Sequence, residues 1–272
     1  MSLSLVLLVA AIQGVTEFLP VSSSGHLVLI PVITAHPYQG QTIDVAAHVG
    51  TLVAVLIYLR RDIFNITAAI YNRPASAQQA NHRQLGLMII GATIPLALVG
   101  FVVNYAEWHW LTLVTTLAWT NIAFAGLLWV ADRFSGQLHG LAEIRWSAAM
   151  GIGLMQICAL IPGASRSGVT MTAARFFGYD RLSAARFSLL LSLPAISGAG
   201  LLKTIDLIQA GDANLGLDAA TVVVLSGLFA WLAIRVMMSW LARANFTIFV
   251  VYRLGLGILL LLGLQLGLIA TT

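Results

Sequence analysis

Cysteine, lysine and charge are all scarce in this chain of 272 residues. Cys158 is the only cysteine, which excludes an intrachain disulfide and any cysteine-based metal site. Its expected role is that of a small buried apolar residue. Charged residues make up 9% of the sequence, against roughly 25% in a soluble domain, and hydrophobic residues make up 59%. That balance excludes an ordinary water-soluble domain and points to a polytopic membrane protein. Lys203 is the only lysine among 14 basic residues, and the net charge is +4. No basic stripe with interleaved aromatics occurs, so no nucleic-acid partner is expected. A positively charged leader is missing too. Met1 to Ile12 is apolar and runs directly into Gln13 and Glu17, so it is expected to belong to the folded protein.

What is present is long apolar runs. Six stretches, at about 44–60, 85–103, 111–131, 184–202, 219–241 and 246–270, approach or exceed the length needed to cross a bilayer. Leu3–Ile12 and Ala148–Ile161 are too short to cross and stop at polar clusters. Each is followed by a second short apolar piece, Leu27–Ile33 or Val169–Phe177, so each unit is expected to be a re-entrant helical hairpin. The expected architecture is therefore all-α: one integral membrane domain over residues 1–272. It would contain two inverted repeats, about 1–131 and 147–272, each a hairpin plus three spans. Gln13, Ser22, Ser24 and Gly25 stand opposite Gln156, Ser165, Ser167 and Gly168 at a constant offset.

Loop charge orients the chain. With the N-terminus outside, Arg60, Arg61, Arg73, Arg83, Arg133, Arg145, Arg175, Arg181, Arg186, Arg235 and Arg243 fall inside. Asp44, Glu107, Asp206, Asp212 and Asp218 fall outside with Lys203. This agrees with the positive-inside rule. Trp108, Trp110 and Trp146 suit an interfacial belt.

The two polar clusters carry the chemistry. The first runs Gln13-Gly-Val-Thr-Glu17-Phe-Leu-Pro-Val-Ser22-Ser23-Ser24-Gly25-His26, and the second Pro162-Gly163-Ala-Ser165-Arg166-Ser167-Gly168. Ionisable groups at membrane depth are costly and are read first as functional. Gln13 and Glu17, four apart, share a helix face that Pro20 ends. Ser22–Ser24 can cap a helix starting near His26, and Ser165 and Ser167 one starting near Gly168. Both N-termini would then suit an anion such as phosphate. Arg166 matches phosphate oxygens, and Gly25, Gly163 and Gly168 allow close backbone approach. Glu17 can hold a divalent cation, whose coordination would stay incomplete until substrate arrives. Ser23 can attack phosphorus with His26 as general base or acid, and His26 as direct nucleophile is the alternative. Plainer readings stand beside these: serines that only cap, a packed His26, and Glu17 with Arg166 as a structural ion pair. His48 is expected to be a packed, hydrogen-bonded histidine, His36, His82, His109 and His139 loop residues, and Arg253 an interfacial anchor at the start of the last span. Gln13 and Gln156 are expected to hydrogen-bond the broken backbone.

At these motifs, and at the Tyr252-Arg253 pair, the chain resembles the undecaprenyl-pyrophosphate phosphatase family of bacitracin-resistance proteins. The resemblance implies hydrolysis of undecaprenyl pyrophosphate to the monophosphate with a divalent metal, magnesium or calcium. The reaction would take place at the outer face of the bacterial cytoplasmic membrane. It would recycle the cell-wall carrier lipid and confer resistance to bacitracin, which acts on the same substrate. The implied catalytic residues are Glu17, Ser23 and His26, with Ser165, Arg166 and Thr170 on the pyrophosphate. Thr170 rests on the resemblance alone. The family pattern has Thr where Ser24 stands, and it admits Glu or Gln at position 13, so Gln13 is a weaker metal ligand beside Glu17. A homodimer is compatible with all of this. The competing reading is a transporter or flippase for a phosphorylated polyprenyl lipid, since inverted repeats around a midplane anion site also serve transport.

Overall fold

The computed structural model describes residues 2–27, 29–34, 40–72, 74–106, 113–209 and 216–269. His36, Arg73, Glu107, Trp108, His109, Trp110 and Asp212 lie outside the described residues, as do the side chains of Lys203 and Asp206. Among the described residues there are twelve α-helices and no strand beyond one isolated bridge between His139 and Tyr179. Six are long and apolar enough to cross a membrane: α4 (Gln41–Tyr58), α6 (Ala77–Ala106), α7 (Val114–Phe134), α10 (Arg181–Gln209), α11 (Leu217–Leu241) and α12 (Thr247–Gln265). The six expected spans are therefore present, and the chain is a multi-pass membrane protein. α6 begins well before the apolar run expected there. Ala77–Gln84 is polar but rich in good helix formers, so the helix extends beyond the apolar run and takes in His82, expected in a loop.

The remaining helices are short. α1 (Leu3–Thr16), α2 (Ser23–Leu27), α3 (Leu29–Thr34) and α5 (Arg60–Tyr71) belong to the first half. α8 (Trp146–Gln156) and α9 (Arg166–Phe176) belong to the second. α1, at 14 residues, rises about 21 Å, less than the roughly 30 Å of a hydrocarbon core. It stops at Thr16 because Pro20 has no N–H to donate to the Thr16 carbonyl. α8 passes into a 3₁₀ turn, Ile157–Leu160, that Pro162 ends in the same way. Cys158 sits half-buried in that turn with a free thiol, rather than in the core.

Packing crosses between the halves. α11 lies against α1 and α4, α6 against α8 and α10, and α12 against α7, while α9 is enclosed by α7, α8 and α10. The largest apolar cluster joins Phe18 and Val21 to Met88, Ile152, Met171, Leu190 and Phe249. The residues around the first chain break are thereby anchored in the core. Arg175, expected in a cytoplasmic loop, is fully buried instead. It pairs with Asp132 at 3.2 Å and donates to the carbonyls of Ser135, Gly136 and Tyr179, because the last turn of α9 and the chain after α7 leave those carbonyls unpaired.

The α4–α11 contact is close enough to depend on glycine. A Cβ on Gly50 would lie 2.1 Å from Ser226 Oγ and 2.2 Å from the Val223 carbonyl oxygen. Gly50→Ala is expected to destabilise the protein by about 1–3 kcal/mol through forced separation of the two helices. A lowered thermal-unfolding midpoint in detergent checks this, and an unchanged midpoint would contradict it.

Candidate active site

The two polar clusters meet inside the helix bundle. Glu17 follows the last turn of α1, its side chain 8% exposed, and its carboxylate is the hub. Oε1 accepts from Arg166 Nη2 at 3.1 Å. Oε2 accepts from Gln13 Nε2 at 2.9 Å and from Ser23 Oγ at 3.2 Å. The i,i+4 spacing of Gln13 and Glu17 thus places them together as the helix face requires, although Gln13 bonds the carboxylate and not the broken backbone. Gln156 does not bond that backbone either; both of its amide atoms are buried without partners.

Between Glu17 and α2 the chain turns sharply, and Ser22 takes a left-handed conformation with φ 70°. Ser165, before α9, does the same with φ 67°. Non-glycine residues rarely adopt this region, and such strain collects at functional sites. Ser22 Oγ lies 3.1 Å from Ser24 Oγ, and Ser165 Oγ 3.2 Å from Ser167 Oγ. Ser165 is the N-cap of α9, accepting from the Gly168 N–H at 3.2 Å, so that helix starts at Arg166 and not near Gly168. Ser167 does not cap. It donates to the Leu19 carbonyl at 2.8 Å and ties the second cluster to the first.

α2 also departs from expectation. It begins at Ser23 rather than near His26 and is only five residues long, so the anion-favouring helix terminus belongs to α9 alone. His26 therefore sits within the turn, and its ring is held from two sides. Nδ1 is 2.7 Å from the Ser22 carbonyl oxygen, and Nε2 is 2.5 Å from Tyr252 Oη, with the two rings nearly parallel and their centroids 5.5 Å apart. A carbonyl only accepts, so Nδ1 carries the proton and the neutral ring has its lone pair on Nε2. No hydrogen bond joins His26 to Ser23. Ser24 and Tyr252 are exposed and His26 partly so, which makes this the open edge of the cluster, with Gln13 and Glu17 at its closed end.

Arg253 corrects the anchor expected at the membrane interface. It is fully buried in α12. Its Nε donates to Asn121 Oδ1 at 2.8 Å, and Nη2 to the carbonyls of Gly163 and Ala164 at 2.8 and 3.0 Å. The loop between α8 and α9 is therefore pinned between α7 and α12. Gly163, with φ 89°, lies so close to α7 that a Cβ would meet the Leu117 carbonyl oxygen at 2.2 Å. A Cβ on Gly168 would meet Arg253 Nη1 at 2.7 Å, so both glycines expected near the ligand allow close approach. Gly25 has room for a methyl group. Nη1 of Arg166 and Nη1 of Arg253 are both buried without a partner. Thr170, in contrast, buries its hydroxyl between α9 and α10, bonded to the Arg166 carbonyl and to Ser188 Oγ at 2.9 and 2.7 Å.

Glu17, Ser23, Ser165 and Arg166 are thus brought together, with His26 at the rim and Thr170 turned away. Sequence reasoning missed Tyr252, Arg253, Asn121 and His48, whose Nε2 lies 3.9 Å from Glu17 Oε2. For Arg253 and His48 the signal was available, since both are ionisable groups within apolar spans. Among the described residues, no three His, Cys, Asp or Glu side chains group closely enough to hold a metal by themselves.

Fold and cluster together define a multi-pass membrane protein with a buried polar centre assembled from two interrupted helical segments. The chain belongs to the family described as bacitracin resistance protein BacA, whose model matches residues 6–259. Similar proteins named undecaprenyl-diphosphatase include one from Ruegeria pomeroyi, 43% identical over 96% of this chain and 98% of its own length. Another, from Alteromonas mediterranea, is 44% identical over the same shares. A third, from Alcanivorax borkumensis, is 45% identical over 94% of this chain and 96% of its own.

Proposed function

We propose that this protein is a membrane-embedded undecaprenyl-diphosphatase that cleaves the terminal phosphate from undecaprenyl pyrophosphate and returns the carrier lipid monophosphate to cell-wall synthesis. The observation that carries the reading is the convergence of Glu17, Ser23 and Arg166, with His26 in the same short helix as Ser23, within a bundle whose relatives bear that name. The distribution of arginine supports a cytoplasmic-membrane location with both termini, and the open edge of the site, facing outside.

An inverted-repeat architecture with re-entrant hairpins fits the same picture. Ser22 and Ser165, at equivalent positions, share the left-handed backbone and the hydroxyl pair two residues on. The helix before each chain break also packs on a long helix of the other half, α1 on α11 and α8 on α6. Interrupted backbone at membrane depth is tolerated where protein encloses it, and burial of Val21 and Ala164 at the two breaks supports this reading.

Attack by His26 suits the geometry better than attack by Ser23. The Ser23 proton points to Glu17, a carboxylate already paired with Arg166 and therefore a weak base, whereas neutral His26 needs no base. As Nε2 bonds to the terminal phosphorus, the bridging P–O bond breaks and lipid monophosphate leaves with the electron pair. Water then attacks the phosphohistidine, the N–P bond breaks, and the water's proton leaves with inorganic phosphate. Nδ1–H stays on the Ser22 carbonyl throughout. Arg166, Ser23 and the α9 N-terminus at Ser165 would hold the phosphoryl oxygens, with Arg253 fixing the loop beneath them. Tyr252 yields Nε2 when substrate enters. Thr170 supports Arg166 through its carbonyl.

A divalent metal fits the closed end. The buried Oε1 of Gln13 has no partner, and rotation of the amide would turn it toward the carboxylate it already touches. Glu17 and Gln13 would hold the ion, which when bound supplies charge neutralisation at the phosphate oxygens.

The test is phosphate release from undecaprenyl pyrophosphate by purified protein, with Glu17→Ala as control. Release is expected from the wild type and a loss of about 10³-fold or more in the variant. No release with magnesium or calcium present, together with lipid movement across vesicles, would favour the transporter.

A further inference from the structure

His48 stands on the first long span facing the carboxylate of Glu17, and the mechanism above gives it no work. α1 and α4 pack together, so the facing is fixed by the fold. Nδ1 of His48 lies 2.8 Å from the Asp44 carbonyl oxygen, one turn back on α4, and a carbonyl only accepts. Nδ1 is therefore a donor, and in the neutral ring Nε2 turns its lone pair to Glu17 Oε2 across 3.9 Å. That arrangement sets two electron-rich atoms against each other. The gap is too long for an N–H···O bond of 2.7–3.2 Å, and it is close to the span of two metal–ligand bonds of about 2.1 Å each. Gln13 meets the same carboxylate through Nε2 while its Oε1 is buried with no partner, so rotation of the amide would bring a third electron-rich atom to it.

We infer that His48 is a third protein donor, with Glu17 and Gln13, to a divalent cation held between α1 and α4 at the closed end of the site. The inference rests on the phosphatase reading for the role of the ion, though not for its existence. Arg166 and Arg253 already outnumber the single carboxylate, and a divalent ion raises the excess further, so an anionic pyrophosphate is the group that would complete the balance. The mixed nitrogen and oxygen donor set has a chemical consequence. Imidazole suits transition ions such as Mn²⁺, Co²⁺ and Zn²⁺ better than it suits Ca²⁺, whose ligands are oxygens.

The experiment uses full-length protein in detergent, stripped of metal and titrated with Mn²⁺ alone, without substrate. Free Mn²⁺ is followed by its EPR signal, and the bound ion is examined by pulsed EPR for ¹⁴N coupling. The wild type is expected to show one bound Mn²⁺ with nitrogen coupling. His48→Gln is expected to lose the coupling and to weaken binding by roughly 10–100-fold, the loss typical even of groups one shell further out. His48→Glu restores a donor oxygen. It is expected to recover Mn²⁺ binding without nitrogen coupling and to shift preference toward Ca²⁺, which separates loss of a ligand from loss of fold. The inference is overturned if the wild type binds no Mn²⁺, if bound Mn²⁺ shows no nitrogen coupling, or if His48→Gln matches the wild type. Phosphate release from undecaprenyl pyrophosphate, measured on the same samples, keeps the two readings apart. Release without nitrogen-coupled Mn²⁺ removes the cation site and leaves the phosphatase. Nitrogen-coupled Mn²⁺ without release does the reverse.

Discussion

Replacing His26 with asparagine is expected to lower phosphate release by about 10⁴-fold or more, the scale on which enzymes respond to loss of a nucleophile. Asparagine is the informative substitute because its amide can still donate to the Ser22 carbonyl, so the turn keeps its bond while the attacking nitrogen disappears. Ser23→Ala, under the same reading, removes one donor to the transferred phosphoryl group and one to Glu17, and is expected to cost only about 10²–10³-fold. The order of these two losses separates the two nucleophiles. Rapid quenching of the reaction with substrate labelled in its terminal phosphate gives a second, independent readout. A label that is acid-labile, alkali-stable and mapped to His26 by mass spectrometry is the expected outcome. An acid-stable label on Ser23, or a larger loss in Ser23→Ala than in His26→Asn, would return the attack to the serine and leave His26 as acid or base.

The spans were legible because hydrocarbon thickness imposes a length on any helix that crosses it, and the apolar runs carry that length directly. Their ends were less so, since Ala77–Gln84 extends α6 by helix propensity where no membrane demands it. Glu17 and Arg166 stood out for the opposite reason, as charges where lipid penalises charge. Arg253 carried the same signal, but its position near the end of a span made it indistinguishable from an interfacial anchor. What decides between the two is Asn121 and the carbonyls of Gly163 and Ala164, all far away in sequence. His48 was hidden likewise: its backbone bond to Asp44 is local and was expected, whereas its approach to Glu17 depends on how α1 and α4 pack. Thr170 shows the converse. A ligand-facing hydroxyl there is implied by the resemblance alone, and only the neighbouring Ser188 on α10 reveals that the hydroxyl is engaged elsewhere.

The second large effect is expected from separating the structural and chemical roles of the Glu17–Arg166 pair. Both side chains are mostly buried, 8% and 14% exposed, so removing one partner should leave the other short of compensation. The two removals are not equivalent. A guanidinium cannot shed its proton, and in Glu17→Gln it is left charged with Nη1 already unpartnered, for a cost of roughly 3–5 kcal/mol. In Arg166→Met the carboxylate keeps Gln13 Nε2 and Ser23 Oγ and can also take up a proton, so a smaller loss is expected. The double variant should recover much of the stability lost in Glu17→Gln, because no unpaired charge remains. Activity should behave otherwise: each single variant and the double are all expected to lose about 10³-fold or more in phosphate release, since Arg166 is the donor placed for charge on the transferred group. Thermal unfolding in detergent and phosphate release, measured on the same four proteins, form a double-mutant cycle in which only stability recovers. If Arg166→Met lost stability while releasing phosphate at the wild-type rate, the guanidinium would be a structural partner of Glu17 and the phosphate would have to be held by Arg253 and the N-terminus of α9.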